Sequence, residues 1–188
     1  MSRSEDAVRR FLGGEEDAFE QLVRQWESRI YNLAWRFLGN REDAQDAVQD
    51  TFFTAYKSLR TLRNPERFPT WLYQIALNHC RGRWRSRNSH IPLDGQSRDG
   101  HEGAEGAVEP DEAVTDSRDR LETVDLLRKA LGSLSEEHRT AIVLKEYLGL
   151  SLEEVAEVME CPLSTAKSRL YHGLRAVQRN LRRLGARS

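Results

Sequence analysis

The segment from Ser86 to about Asp116 is rich in Gly, Ser, Asp and Glu and poor in apolar side chains. It cannot bury enough surface to offset the entropy of ordering it, which makes it a flexible linker. A chain of 188 residues can form one domain or two. The gap decides for two: an N-terminal unit over residues 1–90 and a C-terminal unit over 118–188, joined by a linker over 91–117.

Both flanking units repeat apolar residues at helical spacing and neither shows sustained strand alternation, so the expected fold class is all-α. Phe19, Leu22, Val23, Trp26, Ile30, Leu33, Ala34 and Phe37 form one stripe over five turns, and Gly39-Asn40 ends that helix. Asn40 can cap a second helix with Glu42 and Asp43 in its first turn and Ala44, Val48, Phe52, Ala55 and Leu59 inward. Arg60 to Pro69 holds two prolines and reads as a loop, after which Trp71, Leu72, Ile75, Ala76 and Cys80 mark a third helix. Beyond the linker, Leu121, Val124, Leu127 and Leu131 restart the pattern, and Ser135 can cap a helix holding Ile142, Val143 and Tyr147.

Ser151-Leu-Glu-Glu154 is a capping box that opens a short helix with Val155, Ala156 and Met159 inward. Glu160-Cys161-Pro162 breaks it, and a longer helix from about Ser164 buries Ala166, Leu170, Leu174, Val177 and Leu181. A short helix, a tight turn and a longer basic helix make the helix-turn-helix pattern.

The net charge of −1 conceals a segregation. Arg60 to Arg87 carries seven arginines against Glu66, and Leu163 to Ser188 carries six arginines and Lys167 with no acid. Between them, Ile91 to Asp119 has nine acids against Arg98 and Arg118. Two basic patches flank an acidic tether, a layout that suits a nucleic-acid partner. No apolar run approaches the roughly 18 to 20 residues that span a bilayer, and Met1 to Arg10 lacks the core of a signal peptide. The expectation is a cytoplasmic protein without stable membrane insertion. Cys80 and Cys161 have no metal-ligand spacing around them, and His79 cannot easily share an ion with its helix neighbour Cys80. Both thiols read as semi-buried.

In a helix-turn-helix the second helix lies in the major groove. With Ala166 and Leu170 inward, Thr165, Lys167, Ser168, Arg169, Tyr171 and His172 remain to meet bases or phosphates; a merely solvated basic face is the plainer alternative. The first basic patch interleaves Phe68, Trp71, Tyr73 and Trp84 with Arg63, Arg67, Arg81, Arg83 and Arg85. Rings that stack on unpaired bases beside guanidinium groups suit a single strand. Phe68 and Trp71 can equally be core residues, whereas Tyr73 and Trp84 lie off the apolar stripe. The second helix exposes Asp43, Asp46, Gln49, Asp50, Tyr56 and Lys57, which is either a solvated face or a docking surface for a basic protein.

The run Asn40-Arg-Glu-Asp-Ala-Gln-Asp-Ala-Val-Gln-Asp-Thr-Phe52, then Arg67-Phe-Pro-Thr-Trp-Leu-Tyr-Gln-Ile-Ala-Leu-Asn78, Ser151-Leu-Glu-Glu-Val-Ala-Glu-Val-Met159 and Thr165-Ala-Lys-Ser-Arg-Leu170 resembles the extracytoplasmic-function sigma factors. The four motifs stand in order and span nearly the whole chain. The resemblance implies that residues 1–90 are region two, whose acidic helix docks on the clamp helices of core RNA polymerase. Asp43, Asp46, Gln49, Asp50, Phe53 and Lys57 would form that face, centred on Gln49 and Asp50. It implies that the loop from Arg60 to Arg67 captures a flipped base of the minus-ten element. Arg63, Asn64, Arg67, Trp71, Tyr73, Asn78, Arg81, Arg83 and Arg85 would be the minus-ten set. Residues 118–188 would be region four, which packs on the polymerase flap and reads the minus-thirty-five element through Thr165, Lys167, Ser168, Arg169, Tyr171, His172 and Arg175.

The same resemblance implies no cofactor and no catalysis, with promoter DNA, core RNA polymerase and an anti-sigma factor as partners. Gln74-Ile75 stands where housekeeping sigma factors carry adjacent tryptophans, and His172 replaces a frequent arginine. The rival reading is a stand-alone helix-turn-helix repressor or activator. Glu15-Glu16-Asp17, Glu153-Glu154 and His79 offer acid/base groups for an enzyme, yet no nucleophile-base-orienter set or phosphate-cradling glycine loop accompanies them.

Overall fold

The computed structural model describes residues 3–89, 126, 127 and 129–184. The linker expected over 91–117, together with Leu121 and Val124, lies outside the described residues. The N-terminal unit contains α1 (Arg3–Leu12), α2 (Asp17–Leu38), α3 (Arg41–Ser58) and α4 (Phe68–Ser89). Two short 3₁₀ turns, Leu59–Thr61 and Pro65–Arg67, join α3 to α4. The C-terminal unit contains a helical turn over residues 129–132, then α5 (Glu136–Ile142), α6 (Leu152–Val158) and α7 (Leu163–Arg183). No strand occurs among the described residues.

The central helix is α2, which packs on α1, α3 and α4. Its apolar repeat places Leu22, Trp26, Ile30, Leu33 and Phe37 in the core, each side chain worth roughly 1.5–3 kcal/mol relative to exposure. Gly39 ends the helix in the left-handed region, with φ 69°, and its N–H donates to Trp35 O. The Asn40 side chain then accepts the Asp43 N–H at 3.2 Å, the cap read from the sequence.

The N-terminal helix α1 adds to the expected pattern. Ala7, Val8 and Phe11 are buried, and the Trp26 indole N–H donates to Ser4 Oγ at 3.0 Å. Trp26 in turn stands edge-on to Phe68 and Tyr73. The third expected helix is also longer, since α4 runs through the basic stretch to Ser89. Gly82 alone does not break it while Cys80 and Trp84 pack on the core from either side.

In the C-terminal unit Ser135 and Ser151 cap α5 and α6, and the box between Ser151 and Glu154 is complete. α5 continues into a π-helical stretch over Val143–Tyr147. The turn between α6 and α7 passes through Glu160 at φ 50°, a conformation few side chains adopt. Leu174, expected inward, is 42% exposed. The reason is Gly173, which α7 turns toward α5, with Leu174 about 100° further round the helix.

The two units pack together, with α4 against α6 and α2 against the π-helical stretch. Their buried apolar residues form one continuous cluster, to which Ala141, Leu144, Val155, Ala156 and Met159 contribute from the C-terminal side. A smaller cluster of Leu131, Leu134 and Ile142 meets Leu170, Ala176 and Val177 of α7.

A Cβ at Gly173 would stand 3.0 Å from Ile142 Cδ1 and 3.1 Å from the His138 carbonyl oxygen. Gly173→Leu should therefore overpack the interface between α5 and α7 and lower unfolding stability by about 2 kcal/mol, measured by urea denaturation.

Candidate nucleic-acid and protein interfaces

The capped start of α3 fixes which residues face outward. Asp46, Gln49, Phe53 and Lys57 recur at three- and four-residue spacing and all are exposed. The Lys57 ammonium lies 3.8 Å from the centroid of the Phe53 ring, which is 60% exposed. Tyr56 beside them is fixed edge-on to Phe11 and Phe19. Asp43 is half-buried near the cap. Asp50 turns partly aside and accepts from Arg83 Nη2 at 2.7 Å, while Asp46 is 3.9 Å from the same nitrogen. One residue of the expected minus-ten set, Arg83, is thus bound to the expected docking helix.

The remaining members of that set occupy three environments. Arg63, Asn64, Arg67, Asn78 and Arg85 are exposed. Asn64 Oδ1 accepts the Glu66 N–H at 3.0 Å, which caps the Pro65–Arg67 turn and holds this loop in shape. Trp71 is half-buried against Phe68, whose side chain is wholly inside. Tyr73, read from the sequence as off the apolar stripe, belongs to the core. Its ring is 3% exposed and edge-on to Trp26, and burial raises its phenol above the ordinary range. The inner face of α4 is wider than the strict repeat because α1 and α2 both pack on it. Trp84 is half-buried, with the Arg139 guanidinium 5.3 Å from its ring centroid.

On α7, Ala166 is buried and Leu170 half-buried, which turns Lys167, Ser168, Tyr171, His172 and Arg175 outward. Thr165 is half-buried, and Arg169 donates to Glu137 of α5 at 3.1 Å. Arg175 lies 4.5 Å from the Tyr171 ring centroid. No acid occupies the first turn of α7, so this surface keeps its positive character.

Three residues unmarked by the sequence pattern tie the units together. Arg139 is 4% exposed and donates to Leu131 O at 3.0 Å, Gly132 O at 2.7 Å and Phe37 O at 2.9 Å. Burial lowers its pKa to about 10, opposed by the nearby Glu136 carboxylate. Glu157 accepts from Arg67 Nη1 at 2.8 Å and from Thr70 Oγ1 at 3.3 Å, and its backbone carbonyl accepts from Gln74 Nε2 at 2.9 Å. Glu136 lies 2.7 Å from Arg81 Nε, without the alignment of a hydrogen bond, and 3.8 Å from Arg85 Nε. An amphipathic pattern cannot reveal pairs about 90 residues apart.

The family models for Sigma-70 region 2 and Sigma-70 region 4 match residues 22–90 and 125–177. The ECF RNA polymerase sigma factor SigW of Bacillus subtilis is 33% identical over 94% of this chain and 96% of its own. The RNA polymerase sigma-H factor of Pseudomonas aeruginosa is 31% identical over 98% and 96%. The chain belongs to the extracytoplasmic-function sigma factors. The sigma factor RpoE of Bartonella quintana, solved with the anti-sigma factor NepR, superposes with a TM-score of 0.65 at 25% identity, over 87% of this sigma factor and 96% of that one. Membership favours the sigma reading over the stand-alone repressor.

The two cysteines of this sigma factor differ in reach. Cys80 is wholly buried on α4, and desolvation pushes its thiol up to about 12, whereas Cys161 is half-buried in the turn before α7. The reactive species is the thiolate, so Cys80 stays protonated and inert from pH 6 to about 10. Maleimide labelling at pH 8 followed by peptide mapping should modify Cys161 and spare Cys80 until denaturant is added.

Proposed function

We propose that this sigma factor directs RNA polymerase to promoters through three surfaces. The outward face of α3 docks on the polymerase, the arginine-bearing face of α4 with the Pro65–Arg67 turn contacts the minus-ten element, and α7 reads the minus-thirty-five element. The observation that carries this reading is a contrast between two uncovered helix faces. On α3 the exposed residues include Asp46, Gln49, Phe53, Tyr56 and Lys57, a mixed polar, charged and aromatic surface fit for a protein. On α7 they include Lys167, Ser168, Tyr171, His172 and Arg175, a donor-rich surface fit for base edges and phosphates.

In the minus-ten surface, Arg63 and Asn78 stand free of the fold's interior and Asn64 shapes the turn. Arg67 at the end of the turn and Arg81 and Arg85 along α4 supply charge, and Trp71 offers a ring edge at the start of the helix. Tyr73 has no part in it, since its ring supports α2. Arg83 acts between α3 and α4 through Asp50. Specificity requires that polymerase present both DNA-reading units at once, because phosphate contacts alone carry little sequence information.

Polymerase and promoters place the protein in the cytoplasm, and no helix among the described residues is long and apolar enough to cross a membrane. An anti-sigma factor is a further partner, as the RpoE–NepR complex shows for that relative. The chemistry needs no cofactor and no catalytic residue of the chain itself.

In run-off transcription, core polymerase with this chain should yield promoter-specific transcripts that core alone does not. Gln49→Lys with Asp50→Lys places two cations against a basic-partner surface and should weaken core binding by at least about ten-fold in a fluorescence titration, with helicity unchanged. Lys167→Ala should weaken promoter binding by the holoenzyme and lower the slope of log affinity against log salt by about 1, as expected when one phosphate is no longer neutralised.

A further inference from the structure

The basic side of α7 does not end where base reading ends. The helix has 21 residues, a length of about 31 Å. A major groove is about 12 Å wide, and a helix that enters it meets base edges with its first turns. Ser164, Ser168 and Tyr171 share one side of α7, and the same steps of three and four residues carry that side on through Arg175, Arg179 and Arg182. All six are exposed, opposite the buried Ala166 and Gly173. Arg179 and Arg182 lie outside the set assigned to the minus-thirty-five element.

The chain supplies no counter-charge for this row. No Asp or Glu occurs from Leu163 to Ser188. Among the described residues no carboxylate pairs with Arg175, Arg179 or Arg182, and the ion pair that α7 makes joins Arg169 to Glu137 of α5. Like charges three and four residues apart, as in Arg175 with Arg179 and Arg179 with Arg182 and Arg183, destabilise a helix in water. The helix dipole favours Arg182 and Arg183 in the last turn, but it falls off within that turn and leaves Arg175 and Arg179 unexplained. The Arg175 guanidinium lies 4.5 Å from the Tyr171 ring centroid, and a stacked guanidinium keeps its in-plane N–H groups for an acceptor.

We propose that the C-terminal half of α7 is a second DNA contact, indifferent to sequence: Arg179 and Arg182 continue the line of Arg175 and bind duplex phosphates beyond the bases met by the first turns. Phosphates supply the anions this side lacks and relieve its repulsion, and the guanidinium fork matches their oxygens. The unbroken line with Ser168 and Tyr171 favours DNA over an acidic protein face, because a helix seated in the groove by its first turns carries its far end against the same duplex. Such contacts fix register and orientation without reading sequence, so the end of the helix holds its start in place. The inference rests on the assignment of α7 to the minus-thirty-five element made above.

The test is binding of the holoenzyme to a fluorescein-labelled promoter duplex over a salt series. Each phosphate neutralised contributes about 0.9 to the slope of log affinity against log salt, so Arg179→Gln with Arg182→Gln should lower that slope by about 2. Its loss of affinity should therefore be about ten-fold greater at about 50 mM salt than at about 200 mM. The fold-loss should be equal on a duplex whose minus-thirty-five element is scrambled, and binding of the chain to core polymerase without DNA should be unchanged. Arg179→Lys with Arg182→Lys, which keeps both charges, should restore the slope.

An unchanged slope in the glutamine variant, with Lys167→Ala still lowering it, would overturn the second contact and leave the minus-thirty-five assignment standing. Unchanged slopes in both would overturn that assignment itself. Weaker core binding without DNA would give the arginines to an acidic protein face, and a larger loss on the intact element than on the scrambled one would make them base readers; either result sinks the proposal. Failure of the lysine variant to restore the slope does so as well, since charge would not then be the cause. Unchanged circular dichroism in all variants separates these outcomes from misfolding.

Discussion

The packing of the two units hinges on a single buried cation. Arg139 carries its charge into an environment where an unpaired ion costs several kcal/mol, and three carbonyl oxygens with two aromatic rings receive it. Without those acceptors the C-terminal unit could not place α5 against α2 and α4, and the carboxylates that follow from that placement would not reach the arginines. Two highly basic stretches in one chain repel each other when brought close. Here the first of them meets the acidic residues of α5 and α6, while the second, on α7, points away from the junction.

Local signals in the sequence proved sufficient for the helices whose ends are chemically marked. Gly39 and Asn40, Ser135, and the Ser151 to Glu154 box each fix a boundary through a short-range hydrogen bond, and each is present in the fold. The signal for α1 was also present in the spacing of Ser4, Ala7, Val8 and Phe11, but charged residues between them dilute it. Tyr73 and Leu174 were misplaced for a related reason. Periodicity gives an average stripe, whereas the true inner face depends on which neighbours pack, and Gly173 or a second helix can rotate it. The contacts between units were not legible at all. Nothing near Glu157 in sequence distinguishes it from the exposed Glu153 and Glu160, and its partner Arg67 lies 90 residues away.

On the surfaces proposed for function, the helices themselves were more legible in the sequence than the exposure of their side chains. The outward stripe of α3 follows from its cap and its buried alanines, which leave Asp46, Gln49 and Phe53 no inward alternative. On α4 the apolar and basic patterns overlap, so residue type alone could not separate a stacking ring from a core ring. Burial resolves the pair: Phe68 is inside, while Trp71 keeps one edge at the surface.

The distribution of strong and weak contacts bears on how the units can part. Arg67 with Glu157 is partly exposed, and pairs of that kind are worth about 1 kcal/mol or less because water competes for both ions. Arg139 is different, since stranding a buried guanidinium would be prohibitive. Yet two of its three carbonyl partners, Leu131 and Gly132, lie in its own unit. Separation removes the bond to Phe37 O and the contacts with the Phe37 and Trp84 rings, but it exposes the cation to water, so the residue that anchors the packed units does not forbid their parting. Exchangeable pairs lie at the edge of the junction between the units, and the buried anchor keeps the Leu131 and Gly132 carbonyls of its own unit.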